Sequence, residues 1–266
     1  LNIIVCVKQI LDPQIPPSKF KIDAGAKRVM PPEGIPPVIN PYDSQAVELA
    51  IKLKEKNGGK ITVLTVGDEA SGSVVKHAFA MGADEGAILK DAAFAGSDNF
   101  SIAYIITRAI QKIAEYDLVL CGRQAADWDE GTIGPIIAEN LSIPVINLAK
   151  EVELADGILK VQRTILDGYQ TITSPMPSVI TVSNEAGQPR LPSGWGIISA
   201  AKKQIPIWDA QYLEIDQSLV GSNAVRKELV DLYRPDQSRK CETITGETPG
   251  EAAGKLVQTL RNAGII

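Results

Sequence analysis

Cysteine and histidine are scarce in this chain, and their scarcity excludes several kinds of chemistry. The three cysteines, Cys6, Cys121 and Cys241, lie far apart and form no Cys-x-x-Cys pair. That excludes an iron–sulfur or zinc framework built from this chain alone, and it suits a reducing, cytoplasmic setting. His77 is the only histidine and falls within a helical pattern, so histidine-based triads and metal sites are not expected. Positive charge is also in short supply. Against 32 Asp and Glu stand 27 Lys and Arg, giving a net charge of −5 and no basic stripe to neutralise nucleic-acid phosphates. No apolar run reaches the length of a membrane span, and the first residues lack the charged start of a secretory signal. Two phosphate-binding signatures are missing as well: no Gly-x-Gly-x-x-Gly follows the first strand, and no Gly-x-x-x-x-Gly-Lys-Ser/Thr occurs. Redox chemistry must therefore come from a bound cofactor, and a nucleotide would need another α/β solution.

What the chain does have is a regular alternation of strand and helix. Residues 2–7 are a continuous apolar run, as expected for a strand buried on both faces. Residues 8–39 are rich in proline and read as a long excursion with room for a small hairpin; loops of this length are usually functional or docked. Asn40 then Pro41 marks a helix start, with an amide to cap it and proline at the first helical position. That helix turns Val47, Ala50 and Ile51 inward and stops at Asn57-Gly58-Gly59. Residues 60–66 form the second strand, and Gly67 after it lets backbone approach a ligand closely. A helix over 71–81, a strand over 86–89, a helix over 98–115 and a strand over 117–121 follow. A helix over 136–141 and a strand over 144–148 complete the series. The pattern implies an α/β fold with a doubly wound, mostly parallel, Rossmann-like sheet.

Beyond residue 149 the period becomes two. Asp156-Gly157 and Asp167-Gly168 mark the turns of antiparallel hairpin additions, and residues 175–182 return to a buried strand. A polar Gly/Pro loop over 183–203 ends in a short basic helix from Ile197. The remainder holds short extended pieces, a Pro- and charge-rich link over 233–240 and an amphipathic helix over 250–262. This division predicts a nucleotide-binding α/β domain over 1–204 and a C-terminal arm over 205–266, too small to build its own core.

Residues 121–135 are the most informative stretch. They follow a buried strand and feed a helix, at the carboxyl end where open α/β sheets bind nucleotides. Backbone N–H groups from Thr132 to Ile136 would be free to meet phosphate, and Pro135 costs no helical bond there. Asp127, Asp129 and Glu130 repel phosphate and suit ribose hydroxyls. On these residues alone, a plain surface loop is an equal reading.

Four segments in order and spacing resemble the beta subunit of electron transfer flavoproteins over nearly the whole chain. They are Val5-Cys-Val-Lys8, Asn40-Pro-Tyr-Asp43 with Ala46-Val-Glu48, Ala80-Met-Gly-Ala-Asp84, and Gly122-Arg-Gln-Ala-Ala-Asp127. The family's signature segment recurs over 161–170, followed by Pro175-Met-Pro-Ser-Val-Ile-Thr181. One departure is Leu166, where an acidic residue is usual. The resemblance implies an adenine-nucleotide-binding α/β fold and an alpha subunit carrying FAD. Ordinary members hold AMP in the beta subunit; electron-bifurcating members hold a second FAD there, which takes hydride from NADH. Thr132-Ile-Gly-Pro135 and Phe94-Ala-Gly96 resemble the bifurcating type, whereas Trp128-Asp-Glu-Gly-Thr132 departs from it.

Carried onto matching positions, the family's nucleotide contacts fall on Cys6, Asn40, Pro41, Tyr42, Asp43, Val66 and Gly67. They continue through Gln124, Ala125, Ala126, Asp127, Trp128, Asp129 and Glu130 to Gly131, Thr132, Ile133, Gly134 and Pro135. Cys6 and Val66 read equally as core packing, and Lys8 as a phosphate contact or a solvated side chain. A recognition loop for partner dehydrogenases corresponds to Arg190, Leu191, Gly194, Trp195 and Ile197, although Gly194 stands where the family has its leucine. The expectation is a bifurcating beta subunit. It would serve ferredoxin or flavodoxin on one branch, and an acyl-CoA or hydroxy-acid dehydrogenase or reductase on the other. An ordinary electron carrier with structural AMP is the nearest alternative, and a nucleotide sensor of the universal-stress type a more distant one.

Overall fold

The computed structural model describes residues 1–113, 115–234 and 241–266. Its strands are β1 (Asn2–Cys6), β2 (Gln9–Ile10), β3 (Lys21–Asp23), β4 (Arg28–Met30), β5 (Val38–Ile39), β6 (Lys60–Val66) and β7 (Glu85–Leu89). Then come β8 (Leu118–Gly122), β9 (Val145–Ala155), β10 (Ile158–Ile165), β11 (Gly168–Ser174), β12 (Ser178–Val182) and β13 (Ile207–Trp208). The helices are α1 (Pro41–Asn57), α2 (Gly72–Met81), α3 (Asn99–Ile113), α4 (Ile133–Leu141), α5 (Gly194–Lys202) and α6 (Pro249–Asn262).

Nine strands form one sheet in the order β11-β10-β9-β12-β8-β1-β6-β7-β13. Pairings from β9 through β12, β8, β1, β6 and β7 to β13 are parallel, and only β9–β10 and β10–β11 are antiparallel. The expected doubly wound sheet with hairpin additions is the observed one. Successive side chains of β1 serve opposite faces: Ile3 and Val5 join the core under α1, α2 and α5, while Ile4 and Cys6 join the one under α3 and α4. The proline-rich excursion is closed at its base by β2 pairing with β5, and β3–β4 is its small hairpin.

Several elements differ from the sequence reading in instructive ways. The predicted strand over 144–148 and the first arm of the hairpin are one strand, β9, parallel to β12 in its first half and antiparallel to β10 in its second. Leu148 has a left-handed φ of 63° and bends the strand at the changeover, where its N–H bonds the Thr181 hydroxyl at 3.0 Å. Helix α5 begins at Gly194 rather than Ile197, because the Ser193 hydroxyl accepts from the Gly196 N–H at 3.0 Å.

The chain divides into compact units of residues 1–230 and 231–266. The first unit runs past the predicted boundary at 204 because β13 extends the sheet and Ala210, Leu213 and Val220 are buried in the α3/α4 core. The second unit contains α6, whose start is closed by a reciprocal pair: Glu251 N–H donates to the Thr248 hydroxyl, and Glu247 N–H to the Glu251 carboxylate. Residues 235–240 of the predicted link lie outside the described residues. Among the described residues no helix is long and apolar enough to cross a membrane.

Helix α4 lies so close to β12 that a Cβ on Gly134 would stand 2.6 Å from the Thr181 Cγ2 methyl. Gly134→Ala is expected to destabilise the chain by about 1–3 kcal/mol through overpacking. Thr181→Ser, which keeps the hydroxyl and deletes the methyl, should restore much of that loss in the double variant. Urea unfolding of the four chains measures the coupling; strictly additive effects would rule the contact out.

Candidate functional site

Strand order determines where a crevice can form. The chain leaves β1 through α1 to β6 and β7 on one side, then returns through α3 to β8 on the other. Beyond the carboxyl ends of β1 and β8 the flanking connections diverge, and this is the switch point at which such sheets bind ligands. A cavity of about 610 Å³ lies there, within the range of small-molecule sites. Its floor is Cys6, Val7 and Lys8 after β1, Val66 after β6, and Cys121 to Ala125 after β8. One wall is the loop into α4, through Trp128, Glu130, Gly131, Ile133 and Gly134. The opposite wall is Ser97 to Asn99 with Ile102 and Ile106 of α3, and residues 227–229 complete the rim.

Two side chains at the start of α1 hold this floor together. The buried Asp43 carboxylate accepts the Lys8 N–H at 2.7 Å and the Gly122 N–H at 3.1 Å, so one group ties the ends of two neighbouring strands. The contact requires glycine at 122, since a Cβ there would lie 2.3 Å from Asp43 Oδ1 and 2.7 Å from Tyr42 Cβ. Contrary to the sequence reading, the Asn40 amide does not cap α1. Instead it donates to the Gln124 carbonyl at 2.9 Å and accepts the Ala126 N–H at 3.2 Å, clamping the loop after β8.

The acidic residues of the loop are already engaged. Lys8 pairs with Asp127 at 2.7 Å, Asp129 accepts from Gln124 at 2.6 Å, and Glu130 accepts from Asn99 and faces Lys227 at 3.5 Å. At the helix start fewer N–H groups are free than the sequence suggested. Because α4 begins at Ile133, the Ile136 N–H is bonded to the Thr132 carbonyl at 3.1 Å, and Pro135 has none. Those of Ile133 and Gly134 have no protein acceptor among the described residues, and both residues line the cavity. Two convergent donors at a helix N-terminus, with apolar Val66, Ile102 and Ile106 nearby, fit an anionic ligand carrying a flat apolar ring.

Of the residues expected at a nucleotide, Cys6, Asn40, Asp43, Val66, Gln124, Ala125, Trp128, Glu130, Gly131, Ile133 and Gly134 line this cavity. Pro41, Tyr42, Gly67, Ala126, Asp127, Asp129 and Thr132 are not among the lining residues, and Pro135 lines a separate hollow with Phe100 and Ile136. Sequence reasoning missed Ser97, Asp98 and Asn99 and the rim at 227–229, because their place depends on strand order rather than on any local signal. Cys6 and Cys121 are directly paired across β1 and β8. A hydrogen bond from the Cys121 S–H to Cys6, together with burial, pushes the Cys121 thiol up, so it stays neutral. No group of three or more His, Cys, Asp and Glu side chains is placed to hold a metal among the described residues.

Away from the crevice, the loop before α5 exposes Leu191 (89%) and the first turns of α5 expose Trp195 (79%), with Ile197 and Ile198 about half exposed. Arg190 is not free for a partner. Its guanidinium bonds Glu48 at 2.8 Å and Glu55 at 2.6 Å on α1, and these two carboxylates raise its pKa further. Gly194 opens α5 with open space around it.

Comparison with known proteins adds a second line. Residues 30–212 match the electron transfer flavoprotein domain. The chain is 39% identical to the electron transfer flavoprotein subunit beta of Thermoanaerobacterium thermosaccharolyticum, over the whole of both chains. It is 34% identical to the caffeyl-CoA reductase-Etf complex subunit CarD of Acetobacterium woodii, and 31% to the acryloyl-CoA reductase electron transfer subunit gamma of Anaerotignum propionicum, again over the full length of each.

Burial pushes the Asp43 carboxyl from 3.8 up to about 7, against the pull of the Lys8 and Gly122 N–H groups and the Asn40 amide. A folded-state value above the unfolded one means that the folded chain keeps a proton the unfolded chain has released. This group's contribution to stability is therefore full below the unfolded value and is lost as pH rises through the folded one. Asp43→Asn cannot ionise, and its weaker acceptor geometry lowers stability by a constant amount. Urea unfolding from about pH 4 to 8 should show the wild type falling relative to the variant, by on the order of 3–4 kcal/mol. Parallel curves would contradict the assignment.

Proposed function

The chain belongs to the electron transfer flavoprotein family as a beta subunit, and from that premise we propose that its crevice binds FAD in an electron-bifurcating complex. Bound there, FAD supplies hydride acceptance from NADH and the division of electrons between a ferredoxin or flavodoxin and the FAD of an alpha subunit. The chain's own residues bind, orient and shield; none needs to act as acid, base or nucleophile. The observation that carries the reading is the crevice at the β1/β8 switch point, lined by Ile133 and Gly134, whose N–H groups have no acceptor among the described residues.

In this reading the α4 start receives the pyrophosphate and the side chains at the strand ends receive the adenosine. Asn40 acts through the loop it clamps, and Asp43 through the strand ends it joins. Trp128, about half exposed at the rim, covers the pocket rather than stacking in it. Thr132-Ile-Gly-Pro135 and Phe94-Ala-Gly96 favour FAD over AMP by their resemblance to the bifurcating type. Likeness to subunits named for caffeyl-CoA and acryloyl-CoA reductase complexes favours an acyl-CoA reductase or dehydrogenase as terminal partner. The setting proposed is cytoplasmic, with the C-terminal arm lying on the alpha subunit.

Flavin stoichiometry tests the central point. A gently purified heterodimer should contain two FAD; one FAD with one AMP would return the chain to the ordinary carriers. The exposed loop before α5 is the proposed docking point for the dehydrogenase, with Arg190 fixing its shape rather than meeting the partner. Leu191→Ala with Trp195→Ala is expected to raise the KM for the partner about tenfold or more at unchanged flavin content. An unchanged KM would place docking elsewhere.

A further inference from the structure

The rim of the cavity includes a segment that neither the sequence motifs nor the family contacts identify. Residues 221–229 run from a turn, closed by the Ala224 N–H on the Gly221 carbonyl at 3.1 Å, to the cavity rim at 227–229, and are tied down along their length. Gly221 N–H bonds the Ser97 hydroxyl at 2.8 Å, Arg226 N–H bonds Asp98 Oδ2 at 2.6 Å, and the Leu229 carbonyl accepts from Lys27 Nζ at 2.9 Å. Asp98 serves two elements at once, since its other oxygen caps α3 by accepting the N–H groups of Phe100 and Ser101 at 3.0 and 3.1 Å. The Arg226 guanidinium lies 4.8 Å from the centre of the Phe100 ring, a further fastening between segment and helix.

This tether carries Lys227, Glu228 and Leu229 to the cavity. Three cationic side chains line it, and they differ in how firmly they are held. Lys8 is closed on both oxygens of Asp127 at 2.8 and 2.7 Å. Arg123 bonds Gln124 at 3.0 Å and Asn184 at 3.2 Å. Among the described residues Lys227 has only the looser contact with Glu130 at 3.5 Å, and its side chain is half exposed. Glu130 stays satisfied without it, because the Asn99 amide also donates to that carboxylate. An incoming phosphate can therefore take Lys227 without leaving a buried charge unpaired.

We propose that residues 221–229 form a strap that closes the cavity over a bound adenine nucleotide, with Lys227 leaving Glu130 to contact its phosphate. The inference rests on the reading of the crevice as a nucleotide site and adds to it a contact from outside the strand-end loops. The ammonium is a flexible point charge, suited to a phosphate whose exact position differs between a mononucleotide and a dinucleotide.

The test is titration of the full chain with AMP and with FAD, for the wild type and for Lys227→Arg, Lys227→Gln and Lys227→Glu. Amide hydrogen exchange of residues 221–229 is followed in parallel. Because the side chain is half exposed, the ligand-free variants should melt with the wild type. Lys227→Gln is expected to weaken binding about tenfold, Lys227→Glu further, and Lys227→Arg to restore most of it. Nucleotide should slow exchange across the strap in the wild type. If the wild type binds nucleotide and Lys227→Gln and Lys227→Glu bind it equally well, with strap exchange unchanged, the strap is refuted and the crevice reading survives. If the wild type binds neither AMP nor FAD, the crevice reading fails and the strap with it.

Discussion

One buried carboxylate organises the site. Asp43 reaches from the first turn of α1 to the N–H groups of Lys8 and Gly122, which open two different loops at the ends of adjacent strands. Backbone donors at the end of a parallel sheet have no further strand to pair with, and leaving them unmet under a helix costs free energy. Burial penalises the charge that satisfies them, and the three-way contact is the compromise. Glycine at 122, the direction in which the β8 loop departs, and the seating of α1 on the sheet all follow from it.

Around that centre the charged groups are mostly arranged to satisfy one another. Several acidic and basic side chains at the crevice read from the sequence as ligand contacts in their own right; in the structure Lys8 closes on Asp127 and Asp129 on the Gln124 amide. What remains available is mostly backbone and apolar: two N–H groups at a helix start and a slot between strand ends and α3, with Lys227 loosely held at the rim. Under the proposed reading, such a site would meet the shape and phosphate charge common to many adenine nucleotides, and the ring system beyond the adenosine would be chosen by surrounding parts.

The α/β class, the parallel core and the antiparallel additions were legible because hydrophobic period changes at residue 149 and the turns carry Asp-Gly. The loop over 121–135 was legible because strand, glycine and helix-start residues stand in order. Other features were not. Asn40 looks like a helix cap by every local criterion, yet its amide serves a loop 84 positions away. Arg190 looks like a surface contact and is bonded to α1. The rim at 227–229 has no motif, and the placement of 205–230 within the main unit depends on β13 finding the edge of β7. Local propensity encodes elements well; which distant partner takes a polar side chain is settled only when the sheet order is complete.

Helix α1 links two of these features along a single rod. Its first turn carries Asn40 and Asp43 at the crevice, and further along Gln45, Glu48 and Glu55 grip the segment from Asn184 to Arg190 that presents Leu191 and Trp195. From Asn40 to Glu55 the helical rise amounts to roughly 22 Å. A rigid spacer of fixed length between the crevice and the exposed Leu191 and Trp195 makes the separation of these two features a property of the chain itself, set by helical rise rather than by any side chain at either end.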